Sequence, residues 1–285
     1  MMKWLVTGSG GMLGRDIQNQ LADHDLVALT RSDLDITDLE AATDTLAKHR
    51  PDVVINCAAW TAVDAAEDHE GEAFAVNAVG AANVATACRD VAARLVHIST
   101  DYVFDGTATT PYPESAPLRP ASAYGRTKAA GEWAVRGVLP TSSWIVRTAW
   151  LYGEAGPNFV RTMIRAEGQR DTVDVVDDQR GQPTWSADVA RQIVAMVAAD
   201  APPGVFHATA SGSATWFELT RAVFYLLGAD PDRVRPTTSD QFVRPAPRPA
   251  YSVLGHDAWR RAGMAPLPHW RESLDQAFDA LRKAA

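Results

Sequence analysis

The chain has 285 residues, 46% apolar and 22% charged, which suits a globular protein with one large domain or a main domain and a smaller lobe. Its 27 Lys and Arg against 35 Asp and Glu give a formal net charge of −8, which argues against nucleic acid as a partner. Two cysteines, Cys57 and Cys88, exclude a disulfide scaffold and a four-cysteine zinc site, and no uncharged apolar run reaches the roughly 18 residues of a membrane span.

The N-terminus runs directly into a strand pattern, without a basic segment and apolar stretch ahead of a cleavage site, so a cytoplasmic chain with reduced thiols is expected. Five short apolar runs read as strands: Lys3 to Thr7, Leu26 to Leu29, Val53 to Asn56, Leu95 to Thr100 and Trp144 to Arg147. Helix-period segments near 11–22, 38–49, 70–92 and 122–137 lie between them. That alternation predicts an α/β fold, a Rossmann-type doubly wound parallel sheet over residues 1–155. Thr109 to Ala123 holds Pro111, Pro113, Pro117 and Pro120, so it is irregular and reads as a functional or mobile loop.

After residue 150 the rhythm degrades into short strands (Thr172 to Val176, Val205 to His207) and helices near 157–168, 186–199, 215–228 and 269–283. Residues 156–285 are therefore expected to form mainly a smaller, discontinuous C-terminal substrate lobe, with a segment near 178–204 completing the sheet. Trp4, Trp133 and Trp144 lie in element interiors and are assigned to the core, while Glu67-Asp68-His69-Glu70 reads as a solvated helix end. The amphipathic stretch Trp270 to Leu281 reads as a cap on the lobe. Seven histidines show no HxH or HxxxH spacing, and no metal is expected.

Two motifs carry chemistry. Gly8, Gly11 and Gly14 form GxxGxxG where the first strand meets the first helix. There Gly8 allows a tight turn, Gly11 lets a pyrophosphate approach the backbone, and Gly14 permits close helix–strand packing. The second strand ends in Thr30-Arg31 where an NAD-binding chain usually carries an acid, and a guanidinium there suits a 2′-phosphate. NADPH is thus the expected cofactor, with NADH possible. Asp35-Ile36 can contact the adenine, and the small residues around Ala58-Ala59-Trp60 leave room for the cofactor. The second motif pairs Tyr124 with Lys128, four residues apart and so on one helix face, where the cation can tune the phenol for proton exchange. A hydroxyl at the end of the fourth strand, Ser99 or Thr100, can donate to a substrate carbonyl beside it.

Together these motifs resemble the extended short-chain dehydrogenase/reductase family. The blocks TGSGGMLG, HISTDYVFDG, AYGRTKAAGE, RTAWLYG, DDQRGQPT and RPAPRPAYSVL, spread from residue 7 to residue 254, are similar to its branch that reduces 4-keto sugar nucleotides. The resemblance implies that Thr100, Tyr124 and Lys128 are the catalytic triad. It implies that Gly11-Met12-Leu13, Asp35-Ile36 and Ala58-Ala59-Trp60 contact the cofactor. Asp101 and Trp150 match sugar-contacting positions, and Asn158, Arg244 and Arg248 match residues that meet the substrate's diphosphate. Tyr102 also belongs to the substrate side; it stands where related 4,6-dehydratases carry a glutamate, and it cannot abstract a C5 proton. Some members bind magnesium through interface glutamates, but here the matching positions are Arg15-Asp16 and Trp185-Ser186-Ala187-Asp188, so no metal is expected.

The implied activity is NADPH-dependent reduction of the C4 ketone of a dTDP-4-keto-6-deoxyhexose, first of all dTDP-4-dehydrorhamnose to dTDP-L-rhamnose. A 4-ketoreductase for another dTDP-deoxysugar of an antibiotic pathway, or a non-catalytic NADP-binding regulatory subunit, are the alternatives. The partner is the sugar nucleotide, with no nucleic acid and no membrane, and the chain is expected to be a monomer or homodimer.

Overall fold

The computed structural model describes residues 2–285. Its first half runs β1 (Lys3–Thr7), α1 (Met12–Gln20), β2 (Asp25–Leu29), α2 (Leu39–His49), β3 (Val53–Asn56), α3 (Ala65–Asp68), α4 (Glu70–Phe74), α5 (Ala81–Asp90), β4 (Arg94–Thr100), α6 (Ala123–Val138) and β5 (Ser143–Thr148). There follow β6 (Leu151–Tyr152), α7 (Phe159–Gln169), β7 (Val173–Val176), β8 (Arg180–Gly181), β9 (Thr184–Trp185) and α8 (Ser186–Ala198). The chain closes with β10 (Gly204–His207), β11 (Ala214–Thr215), α9 (Trp216–Leu226), β12 (Val234–Thr237), α10 (Asp257–Arg261) and α11 (Trp270–Ala284).

Six strands form one sheet in the order β2-β1-β3-β4-β5-β10, every neighbouring pair parallel. The order reverses between β1 and β3, and at such a switch point the loops beyond the strands' carboxyl ends diverge to leave a ligand crevice. Alternate side chains feed two cores. Trp4, Val6, Val53, Ile55, Trp144 and Val146 pack with Ile17 of α1 and Val189, Ile193 and Met196 of α8. Leu5, Val54, Leu95 and Ile145 face Leu46 of α2, Val84 and Cys88 of α5 and Val135 of α6. Both faces are covered, which is why these strands read as continuous apolar runs. Each large side chain so buried contributes about 1.5–3 kcal/mol relative to exposure.

A separate cluster gathers Val160 and Met163 of α7, Val173 and Val175 of β7, Leu219 and Phe224 of α9, and Trp270, Leu274, Phe278 and Leu281 of α11. The amphipathic C-terminal stretch is thus built into this third core. Helix α9 starts on a capping box in which Thr215 and Glu218 satisfy each other's main-chain N–H groups.

Three expectations are corrected. Trp133 is 58% exposed. The inward stripe of α6 is Tyr124, Lys128, Glu132 and Val135, chosen for chemistry rather than apolarity, and Trp133 falls outside it. The acidic run after residue 66 does end a helix, α3, with Asp68 and His69 exposed, but its two glutamates are not merely solvated. Glu67 Oε1 accepts from the Ala123 N–H at 2.8 Å, and Glu70 takes both arms of Arg126 at 2.7 Å, so the run docks the start of α6. Segment 70–92 is also no single helix, because a π-helical turn, Ala75–Gly80, interrupts it.

Candidate active site

At the end of β1 the chain turns at Gly8 with φ +64°, and a Cβ there would lie 2.5 Å from the Ala58 nitrogen, so only glycine lets the ends of β1 and β3 approach this closely. Gly11 precedes α1 without any side-chain cap, which leaves the first-turn N–H groups for an anion. A cleft of about 540 Å³ opens beside them, lined in part by Ser9, Gly10, Arg15, Thr30 and Glu154. Arg15, whose Nε donates to the Gly10 carbonyl at 3.2 Å, was weighed in the sequence only as a metal position and not as a cofactor contact. Its signal was helical spacing, four residues past Gly11. Arg31 lies just outside that lining; its side chain is 86% exposed, and Nη2 is 4.0 Å from Asp35. Asp35 itself accepts from Thr37 at 2.8 Å. Leu13 and Ile36 turn their side chains into the two cores, so what they offer a cofactor is main chain, while Met12 is half-buried beside Gly153. The uncapped helix start and two cationic arms fit a dinucleotide with an extra phosphate.

Ala58, Ala59 and Trp60 follow β3 and are half-buried. Asn77, inside the π turn, holds them: its Oδ1 accepts from the Trp60 N–H at 2.9 Å, and its Nδ2 donates to the Trp60 carbonyl and to Thr127 Oγ1 at 3.1 and 3.0 Å. The sequence reading missed Asn77, since nothing local marks a π turn.

Strand alternation separates the two hydroxyls that the sequence left open. Ser99 Oγ donates to Glu132 Oε1 at 2.6 Å in the interior. Thr100 faces the Tyr124 phenol and donates to Asp101 Oδ1 at 2.9 Å. Ser122 caps α6 by accepting from Gly125 N at 3.1 Å, which sets Tyr124 in the first turn. Burial holds the Tyr124 phenol above its ordinary value, opposed by the Thr100 hydroxyl and reinforced by Asp101. Lys128 is buried one turn on, and its Nζ donates to the Ile98 carbonyl at 2.6 Å. Burial pulls the Lys128 ammonium down to about 8, with Glu132 and Cys57 opposing. Burial also pushes the Cys57 thiol up to about 12, so it is no nucleophile at neutral pH.

On the substrate side the Tyr102 ring stands edge-on to Tyr124, centroids 5.6 Å apart. Arg248 crosses from the strap 244–249 to Asp64, Nη2 to Oδ1 2.9 Å, and both act on Tyr102. Arg244 is exposed on the same strap. Trp150, with φ +48°, stacks on Trp216 at 3.5 Å, and a Cβ at position 181 would strike its ring at 2.5 Å, hence Gly181. Asn158 is the N-cap of α7: it accepts from Arg161 N at 3.1 Å and donates to the Gly153 carbonyl at 2.8 Å, so its amide is committed to the chain rather than free for a diphosphate. Of the residues considered for metal, Asp16 accepts from Ser186 Oγ at 2.5 Å, and Asp188 holds Arg191 and Ser273 at 2.7 and 2.5 Å. Among the described residues no three His, Cys, Asp or Glu converge as a metal set, and no helix is long and apolar enough to cross a membrane.

A glycine turn at the sheet's switch point, with a tyrosine–lysine pair and a strand-end hydroxyl at its carboxyl edge, defines an extended short-chain dehydrogenase/reductase. Within that class the chain matches the RmlD substrate binding domain family over residues 2–283 and belongs to it. It is 56% identical to the dTDP-4-keto-6-deoxy-D-glucose reductase of Streptomyces niveus, over 98% of this chain and 97% of that one. To the dTDP-4-dehydrorhamnose reductase of Streptomyces griseus it is 54% identical, over 98% and 94%. The solved dTDP-4-dehydrorhamnose reductase of Bacillus anthracis, in complex with NADP, superposes with a TM-score of 0.93 at 37% identity, covering 98% of this chain and 99% of that one.

Proposed function

We propose that this chain is an NADPH-dependent reductase of the C4 ketone of a dTDP-4-keto-6-deoxyhexose, with Thr100, Tyr124 and Lys128 as its catalytic residues. The observation that carries it is the convergence of a buried phenol, a buried ammonium and a strand-end hydroxyl at the sheet's carboxyl edge. NADPH, when bound, supplies the hydride to C4. Tyr124 delivers the proton to the carbonyl oxygen, and its burial favours the protonated phenol that this requires. Thr100 donates a hydrogen bond to the same oxygen. Lys128 stays cationic at neutral pH, and with one N–H fixed on the Ile98 carbonyl it holds the nicotinamide ribose with the others.

We assign Gly8, Gly11, Gly14, Met12, Ala58 to Trp60, Arg31 and also Arg15 to the cofactor, with Arg15 and Arg31 on the side of the 2′-phosphate. The sugar nucleotide is assigned to Tyr102, Trp150, Arg244 and Arg248, between the sheet domain of residues 1–155 and the lobe of 156–285, while Asp101, buried and bonded to Thr100, is left to act through that hydroxyl. These side chains all come from one chain, so the reading holds for a monomer or a homodimer. NADPH and activated sugars are cytoplasmic pools, which is the proposed compartment.

The names of the relatives divide between a 6-deoxy-D-glucose and a rhamnose configuration, so product stereochemistry decides the sugar. Incubation with NADPH and dTDP-4-keto-6-deoxyhexoses generated in situ, followed by NMR of the product, is expected to show one nucleotide oxidised per C4 alcohol formed. NADPH binding without oxidation by any of them would make the chain a non-catalytic binding subunit instead.

A further inference from the structure

Asp101 is 2% exposed, and its Oδ2 and the equally buried Ser252 Oγ both lack an aligned hydrogen-bond partner. The two lie within reach of each other, Ser252 following directly after the strap that carries Arg248. The other carboxylate oxygen, Oδ1, takes the proton of Thr100 at 2.9 Å. Thr100 Oγ1 in turn accepts from the Tyr102 N–H at 3.3 Å and faces the Tyr124 phenol.

A hydroxyl has one proton. While Asp101 is a carboxylate, which can only accept, that proton is held by Oδ1 and is turned away from any ketone beside Tyr124. The groups facing the carboxyl are Thr100 from β4, the main chain of 101–102, Tyr124 from α6, the neighbouring Tyr102 and Ser252 from just beyond the strap. None is a cation; the nearest ion pair, Asp64–Arg248, acts on Tyr102. Burial accordingly pushes the Asp101 carboxyl up to about 6, against the Ser252 and Thr100 hydroxyls.

We propose that Asp101 is a positioning residue that works as a neutral carboxylic acid: its O–H donates to Thr100 Oγ1, and the Thr100 proton is thereby turned from the carboxyl to the substrate ketone. No bond breaks in this step; one proton stays on Asp101, and one hydroxyl reverses its direction. The proposal rests on the reductase reading, and it adds a pH limit that the triad alone does not contain.

The test is the pH profile of kcat/KM for the wild type, Asp101→Asn and Thr100→Val, together with a carbon-13 NMR titration of the Asp101 carboxyl in the ligand-free protein. In the wild type kcat/KM is expected to fall roughly 10- to 100-fold, the effect of one lost hydrogen bond to developing charge, as pH rises through the Asp101 ionisation. Asp101→Asn, whose amide N–H donates at every pH, is expected to lose that limb, and Thr100→Val to be slow and to lack it as well, both keeping only the later fall near pH 8 where Lys128 gives up its charge. An unchanged limb in Asp101→Asn would overturn the proposal. So would a carboxyl that the NMR finds ionised throughout from about pH 5 to pH 8. The NMR needs no turnover, so a wild type that reduces no keto sugar sinks the reductase reading while the direction of the Thr100 proton is still decided. If Asp101→Asn does not fold, the wild-type limb, its absence in Thr100→Val and the NMR midpoint decide.

Discussion

Tyr124 and Lys128 are both removed from water, and the consequences differ in sign. The phenol is pushed up and favours its acid form, while the ammonium is pulled down to about 8. Lys128 is therefore cationic below pH 8 and loses its charge above it, so NADPH affinity should weaken as pH rises through that value. Isothermal titrations at several pH values are expected to show this dependence in the wild type and its disappearance in Lys128→Met. Asp101 makes a stability statement as well. Its folded value, about 6, lies above the ordinary 3.8, so the ionised form is disfavoured in the fold. That destabilisation is absent below about pH 4, grows between the two values and is complete above 6, amounting to about 3 kcal/mol. Urea unfolding should show Asp101→Asn gaining stability over the wild type near neutral pH and losing that advantage in acid.

Helix α6 carries the reacting groups, and polar contacts rather than a greasy stripe fix it. At its start Glu67 takes the Ala123 N–H. Further along, Glu132 binds Arg147 of β5 by two arms at 2.8 and 2.7 Å, wholly buried, and Arg147 also reaches His207 of β10 and the Glu114 carbonyl at 3.2 Å. Removing one member of a buried pair leaves the other uncompensated, so Glu132→Ala is expected to cost about 3–5 kcal/mol in denaturant unfolding. Glu67→Ala acts like a lost helix cap, costing about 1 kcal/mol, and should lower kcat more than it moves NADPH affinity, because Tyr124 is the next residue. These contacts mark the limit of what the chain spells out. Elements with their own periodicity, such as α2, α7 and α11, and the glycine turn and tyrosine–lysine pair, depend on neighbours within a few residues and are legible. The pairing of Glu67 with Ala123, of Asp64 with Arg248, and of Asp101 with Ser252 spans long stretches of chain and leaves no local signature. Trp133 was misplaced because apolarity was read as burial on a helix whose inner face is polar.

Across the whole molecule, two cores on the faces of the sheet and one in the lobe are joined by long-range contacts such as the Asp64–Arg248 pair. A nucleotide that binds only the folded state should stabilise it by about 2.7 kcal/mol at a hundredfold excess over Kd. Thermal unfolding with NADPH and with NADH separates the two cofactors: a larger shift with NADPH is expected, and Arg15→Ala with Arg31→Ala should remove the difference.

The most direct measurement compares Tyr124→Phe with the wild type in both NADPH affinity and turnover of the keto sugar. The substitution removes one oxygen from a buried, well-packed ring, so kcat/KM should fall by roughly 10²–10⁴ while the Kd for NADPH stays within about twofold. Turnover that survives without the phenol, or an NADPH affinity lost in the same proportion, would contradict Tyr124 as the proton donor.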